Sequence, residues 1–178
     1  MLLASWPHSS ATTPSLLGAT PRENARIRTL ARIGDIYLMN NTFMLAGVLP
    51  AQTPVTTDNE GMVAPLVGLL ASSTRALDRL IGRDGFACLG RVTLADCALV
   101  PAFFYLEIVL GSRGLADPIA ANANVAAYWA AIRRQEYVAR TLEVLNRGLE
   151  ERREQIRSGA FDQLRAARDA ARKAAEQA

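Results

Sequence analysis

Residues Arg91-Val92-Thr93-Leu94-Ala95-Asp96-Cys97 lead into a stretch, Leu94 to Leu110, with only two charges, Asp96 and Glu107. A helix so poor in polar surface has almost no face to give to water, so the fold has to be built around it. Its start is marked. Thr93 is a strong N-cap, with a hydroxyl able to accept from an orphan amide of the first turn. Asp96, three residues on, can bond back to the Thr93 amide, taking the place where Glu or Gln is commoner in a capping box. Val92 and Cys97 stand where a hydrophobic staple would sit. Thr93 and Asp96 are therefore read as structural capping residues. A general-base role for Asp96 lacks a His, Lys or metal-ligand partner at suggestive spacing. Pro101 should free a carbonyl and bend the axis.

The same grammar recurs on both sides. Thr20-Pro21-Arg22-Glu23 is a capping box with proline at the first helical position, where its missing amide costs nothing. Ile27, Leu30, Ile33, Tyr37, Leu38, Met44, Leu45 and Val48 then recur at helical steps until Pro50 and Pro54, predicting a first helix over about residues 21–48. Thr57-Asp58-Asn59-Glu60 offers a third box. Met62, Val63, Leu66, Leu69, Leu70, Leu77, Leu80 and Ile81 carry a second helix to Gly82, with Pro65 delaying its start or kinking it. Two such helices joined by a short Pro-containing loop form an antiparallel hairpin. After helix 94–110, residues 112–123 read as loop, and helices follow at about 124–133, 136–148 and 149–157. Gly159 interrupts, and Phe161 to Ala178 is alanine-rich with mixed charge, including Asp169 and Lys173 at i,i+4 spacing. That tail is expected to be a marginal, exposed helix. The fold class is all-α, a helical bundle with an exposed C-terminal helical tail, without strand or internal repeat.

Several motifs in order resemble the C-terminal helical domain of the glutathione S-transferase superfamily, in which Thr-Leu-Ala-Asp opens the central helix. Leu77-Asp78-Arg79-Leu80-Ile81, Arg83-Asp84-Gly85-Phe86 and Leu89-Gly90 look like the family's approach to it. Asn124-Val125-Ala126-Ala127-Tyr128-Trp129 and Arg134-Gln135-Glu136-Tyr137-Val138-Ala139-Arg140 look like the next two elements, and Pro14-Ser15-Leu16-Leu17-Gly18 like the entering linker. The likeness spans roughly residues 14 to 150. It implies three parts: 1–19 as linker or remnant of a thioredoxin-like domain, 20–157 as the helical domain, and 158–178 as a charged tail. Too few residues precede Thr20 for even one βαβ unit, which needs about 30. The glutathione-binding half, with its activating hydroxyl or thiol, is therefore expected to lie outside this chain, and no catalytic residue is carried over. By resemblance, glutathione is a co-substrate only where that half is present, and the thiolate attacks an electrophile.

Composition narrows the rest. The 178 residues suffice for one core, half are apolar and only 6% aromatic, which suits a bundle. Net charge is +3, and every basic residue except Lys173 is arginine, interleaved with acids beyond Ile132. No basic run with interleaved aromatics points to nucleic acid. Residues 94–110 fall short of a membrane span and hold Asp96, Pro101 and Glu107. The N-terminus lacks the pattern of a signal peptide. Two cysteines and a single histidine, His8, make neither a disulfide framework nor a zinc site. Cys97 is expected to pack as a small hydrophobe and Cys88 to lie in or near a loop, in a reducing cytoplasm.

The substrate side of the resembling enzymes includes the upper part of the first long helix. There Tyr37, Asn40, Asn41 and Met44 fall within two turns and share roughly one side. Two amides among apolar residues suit a pocket wall that orients a polar group. The competing reading has Asn40 and Asn41 facing solvent or a second subunit, and Tyr37 and Met44 in the core; Tyr105 and Trp129 read as core aromatics. The function expected is that of a glutathione S-transferase-like helical domain, supplying the electrophile-side wall and a homodimer contact along the first two helices. The alternative is a non-catalytic helical interaction module.

Overall fold

The computed structural model describes residues 15–159. Within them lie α1 (Pro21–Arg32), a π-helical segment (Ile33–Met39), α2 (Asn40–Val48), α3 (Thr57–Leu80), α4 (Leu94–Gly111), α5 (Ala123–Ile132) and α6 (Glu136–Arg157). No strand is present among the described residues. An isolated bridge joins Cys88 and Arg91 across a tight turn with positive φ at Leu89 and Gly90. The expected tail from Phe161, its Asp169–Lys173 pair, and His8 lie outside the described residues. The residues up to Ile132 form one compact unit and those from Arg133 a second.

In the first unit, α1, the π segment and α2 form one continuous rod that packs on α3 and α4. Thr20 closes its box as expected: Thr20 N–H donates to Glu23 Oε2 (3.0 Å), and Glu23 N–H donates to Thr20 Oγ1 (3.2 Å). Arg26 near the start of the rod donates to Leu80 O at the end of α3 (2.9 Å), so the hairpin is antiparallel. The cap of α3 sits one residue earlier than expected. Thr56 is the N-cap and Asn59 the return partner, because Asn59 Oδ1 accepts from Thr56 N–H (2.9 Å) while its amide nitrogen donates to Pro54 O (3.1 Å). Pro65 does not delay α3. The carbonyl it leaves without an amide partner is that of Gly61, and both residues are exposed to water.

The buried series along the rod is Ile27, Leu30, Ala31, Gly34, Leu38, Thr42, Leu45 and Leu49. From Ile33 on, this series falls one position later than the sequence stripe, so Tyr37 and Met44 leave the core and Leu38 and Leu45 stay in it. A π segment supplies the extra residue that shifts the phase. On α3, Met62, Leu69 and Leu80 are likewise exposed, while Val63, Leu66, Leu70 and Leu77 are buried. Thr42 Oγ1 is fully buried without a hydrogen-bond partner among the described residues.

α4 is the hub. Eleven of its residues are buried, including Leu99, Phe103, Leu106 and Leu110. Burying a side chain of that size contributes about 1.5–3 kcal/mol. Helix α4 is long and apolar enough to cross a membrane, yet more than half of it is buried among its neighbours. One stripe stays partly open: Leu94, Cys97, Pro101, Tyr105 and Ile108. Cys97 therefore does not pack as a core hydrophobe. The stripe also explains Pro101, whose missing amide frees the carbonyl of Cys97 on the one side of α4 that water reaches. Trp129 of α5 stacks edge-on against Phe103 (5.6 Å) and donates from Nε1 to Glu107 Oε1 (2.7 Å). Both it and Tyr128 are core aromatics.

In the second unit, α6 is a single helix through Gly148 rather than two. It carries exposed pairs such as Arg153–Glu150 and Arg157–Glu154, both 2.6 Å, each worth at most about 1 kcal/mol. It ends at Ser158, with Gly159 at φ +69°.

Candidate functional site

The buried carboxylate of Asp96 gathers more than the cap asked of it. Oδ2 accepts from Thr93 N–H (2.8 Å) and Thr93 Oγ1 (2.9 Å). Oδ1 accepts from Ala87 N–H (2.8 Å) and Tyr128 Oη (3.2 Å). Thr93 and Asp96 have the geometry of a capping box at the start of α4, with the Thr93 hydroxyl proton given to the carboxylate. Four donors leave this oxygen pair with no capacity to act on a substrate. Asp78 does parallel work that the sequence did not reveal: its Oδ1 accepts from the amides of Asn124 (2.8 Å) and Val125 (3.1 Å), capping α5 from another helix. The signal was present as an Asp in one motif and Asn-Val in another, but only the packing of α3 against α5 joins them.

Arg113 makes a third clamp. Its guanidinium donates to Leu49 O and Ala46 O after and within α2, and to Val109 O (3.0 Å) in α4. A cation over the open carbonyls of two helix ends is favourable to both dipoles. Arg91 ties the entering linker down, donating to Ser15 O and Leu17 O (2.7 Å), while Leu94 N–H donates to Leu16 O (3.0 Å).

The four residues singled out on the first helix lie at its surface. Tyr37 (51% exposed), Asn40 and Met44 (57%) are open, Asn41 is half-buried, and Asn41 Nδ2 donates back to Tyr37 O (2.6 Å). Tyr37 and Ile33 line an open apolar groove of about 300 Å³ with Leu69, Ser72, Ser73 and Ala76 of α3. Asn40, Asn41 and Met44 are not among its lining residues. Met44 on the rod and Met62 on α3 are both exposed as well. On the other side of the rod, Phe43 stacks on Tyr105 of α4 with ring centroids 5.3 Å apart. Phe43 escaped the sequence reading because its place next to α4 depends on the shifted phase of the rod.

Neither thiol is an activated nucleophile. Cys88 is buried, and desolvation pushes its pKa up, with Asp96 adding to the rise against the hydrogen bond with Thr93. Cys97 is exposed, yet partial desolvation and the adjacent Asp96 raise its pKa as well. Among the described residues no His, Cys, Asp and Glu cluster could hold a metal ion.

Residues 63–131 match the family described as glutathione S-transferase, C-terminal domain. No curated protein gives a significant match. The matched span runs from α3 through α5 and includes Asp78, Thr93, Asp96, Tyr128 and Trp129, the residues that hold these three helices together. The segment organised by the Asp96 cap is thus the part of the chain that is similar to a glutathione S-transferase C-terminal domain.

Proposed function

We propose that this chain provides the helical half of a glutathione S-transferase-like protein, in which glutathione is conjugated to an apolar electrophile. The glutathione site would belong to a thioredoxin-like partner half, and the described residues would contribute the electrophile wall and the dimer contact. The observation that carries this reading is the exposed apolar surface on both sides of the first rod. One edge is the groove that Tyr37 shares with Leu69, with Met44 and Met62 exposed on the same two helices, and is suited to a second copy. The other joins Phe43 to Tyr105 and suits an aryl electrophile, with exposed Asn40, three residues before Phe43 on the same helix, the candidate to orient a polar substituent. Exposed apolar patches of several hundred square ångströms are uncommon on monomers. The free thiols are in keeping with a reducing, cytoplasmic setting.

Light scattering over a wide concentration range tests the dimer. The expected outcome is a mass above the 19.2 kDa of one chain that falls to the monomer value in Leu69→Glu. A constant monomer mass in the unaltered chain would overturn the dimer edge. Titration with an aryl chloride bearing nitro groups tests the other edge, with amide shifts expected at residues 40–44 and 105. An unmoved spectrum there would favour the non-catalytic interaction module instead.

A further inference from the structure

A second cavity, of about 350 Å³, opens between α3, the C-terminal end of α4 and the loop that follows it. Its size is at the lower end for small-ligand pockets. Val67, Leu70, Leu110 and Pro118 make an apolar floor, in which Leu70 and Leu110 are fully buried. Two opposite charges, Arg75 from α3 and Asp117 from the loop, line the same space without closing on each other. Among the described residues the Arg75 guanidinium has no hydrogen-bond or ion-pair partner. Asp117 uses Oδ1 to accept from Ile119 N–H (2.8 Å), which leaves Oδ2 open. Asn122 donates from Nδ2 to Pro118 O (2.7 Å), which leaves its Oδ1 open as an acceptor. The loop is held in place by Leu115 N–H on Leu110 O (3.1 Å) and by the Arg113 clamp.

A monocarboxylate would satisfy Arg75 and face repulsion from Asp117; an amine would do the reverse. A molecule with both charges on one carbon and an apolar side chain satisfies both and fills the floor. We propose that this cavity binds a free apolar α-amino acid of the leucine or phenylalanine class. Its carboxylate rests on Arg75, its ammonium on Asp117 Oδ2 and Asn122 Oδ1, and its side chain between Leu70 and Leu110. The site is separate from the Tyr37 and Phe43 surfaces and does not depend on conjugation chemistry.

The test is an amide-shift titration of the isotopically labelled full chain with L-leucine. The comparison ligands are 4-methylpentanoate and 3-methylbutylamine, each of which keeps the apolar body and one charge. Saturable shifts at Ala71, Leu110 and Asn122 are expected with leucine, and each single-charge analogue should bind about tenfold more weakly or worse, since a charge-assisted bond is lost. Arg75→Gln and Asp117→Asn should each weaken leucine by a similar factor. Both sites are exposed, so the rest of the spectrum serves as the check that each variant is folded. Equal binding of either analogue, binding indifferent to both substitutions, or no saturation by about 10 mM would each overturn the proposal.

Discussion

Asp96 shows how much one side chain can hold. Its carboxylate is the shared acceptor for a helix cap, for the loop amide of Ala87 and for the hydroxyl of Tyr128, so three elements converge on two oxygens. Removing it strands several buried donors at once, each costing about 1–3 kcal/mol. Asp96→Ala should therefore lose about 3–5 kcal/mol in denaturant melts, against about 1–2 kcal/mol for Thr93→Ala. The double variant should lose less than the two together, because both act in one network. Equal single losses or an additive double would remove Asp96 from the centre of that network. The cysteines differ by position alone. A thiol titration of the native chain should find one reactive group, Cys97, slower than free cysteine near neutrality because its raised pKa leaves less thiolate. Its rate should climb as pH rises past the ordinary thiol value of 9.0. Cys88 should respond only once the chain is unfolded, and Cys97→Ser should abolish the native reaction; two equally fast thiols would contradict the burial of Cys88.

At the scale of elements, the π segment decides what the first rod shows to solvent. Gly34 lies where that segment meets α4, and a Cβ there would come within 3.3 Å of the Ala98 carbonyl carbon and oxygen. Those atoms are backbone of the central buried helix and yield little. Gly34→Ala should thus cost about 1–2 kcal/mol through overpacking, although alanine is the better helix former by about 1 kcal/mol. Gly68 in α3 is exposed with nothing within 4 Å of the same position, so Gly68→Ala should gain about 0.5–1 kcal/mol. Paired thermal melts give both signs, and a stabilising Gly34→Ala would mean that the two helices are packed less closely. The helices themselves were legible from sequence, since caps and apolar spacing act within a few residues. The phase of the rod was not. Ile33, Tyr37 and Met44 obey an α-helical stripe on paper, and only the widened turns against α4 move Tyr37 and Met44 outward.

For the whole molecule, the described core belongs almost entirely to the first unit, with Val138 the single buried apolar residue beyond Ile132. A chain ending at Gln135 should still unfold cooperatively in urea, with a slope only modestly reduced in proportion to the surface removed. A broad, non-cooperative melt would show that α6 is needed for the first unit to fold. Exposed surface follows the same division between local and distant causes. By itself the sequence determined an all-helical chain, the Thr20 and Thr93 starts, the antiparallel hairpin and the central helix 94–110, because each depends on side chains a turn or so apart or on an uninterrupted apolar run. Only the tertiary structure decided that Asp96 reaches Tyr128, that Asp78 caps α5, that Cys97 rather than Cys88 meets solvent, and that Phe43 stands beside Tyr105. Each of those outcomes joins residues far apart in the chain, and close packing of helices, with the phase shift it imposes, sets which of them meet.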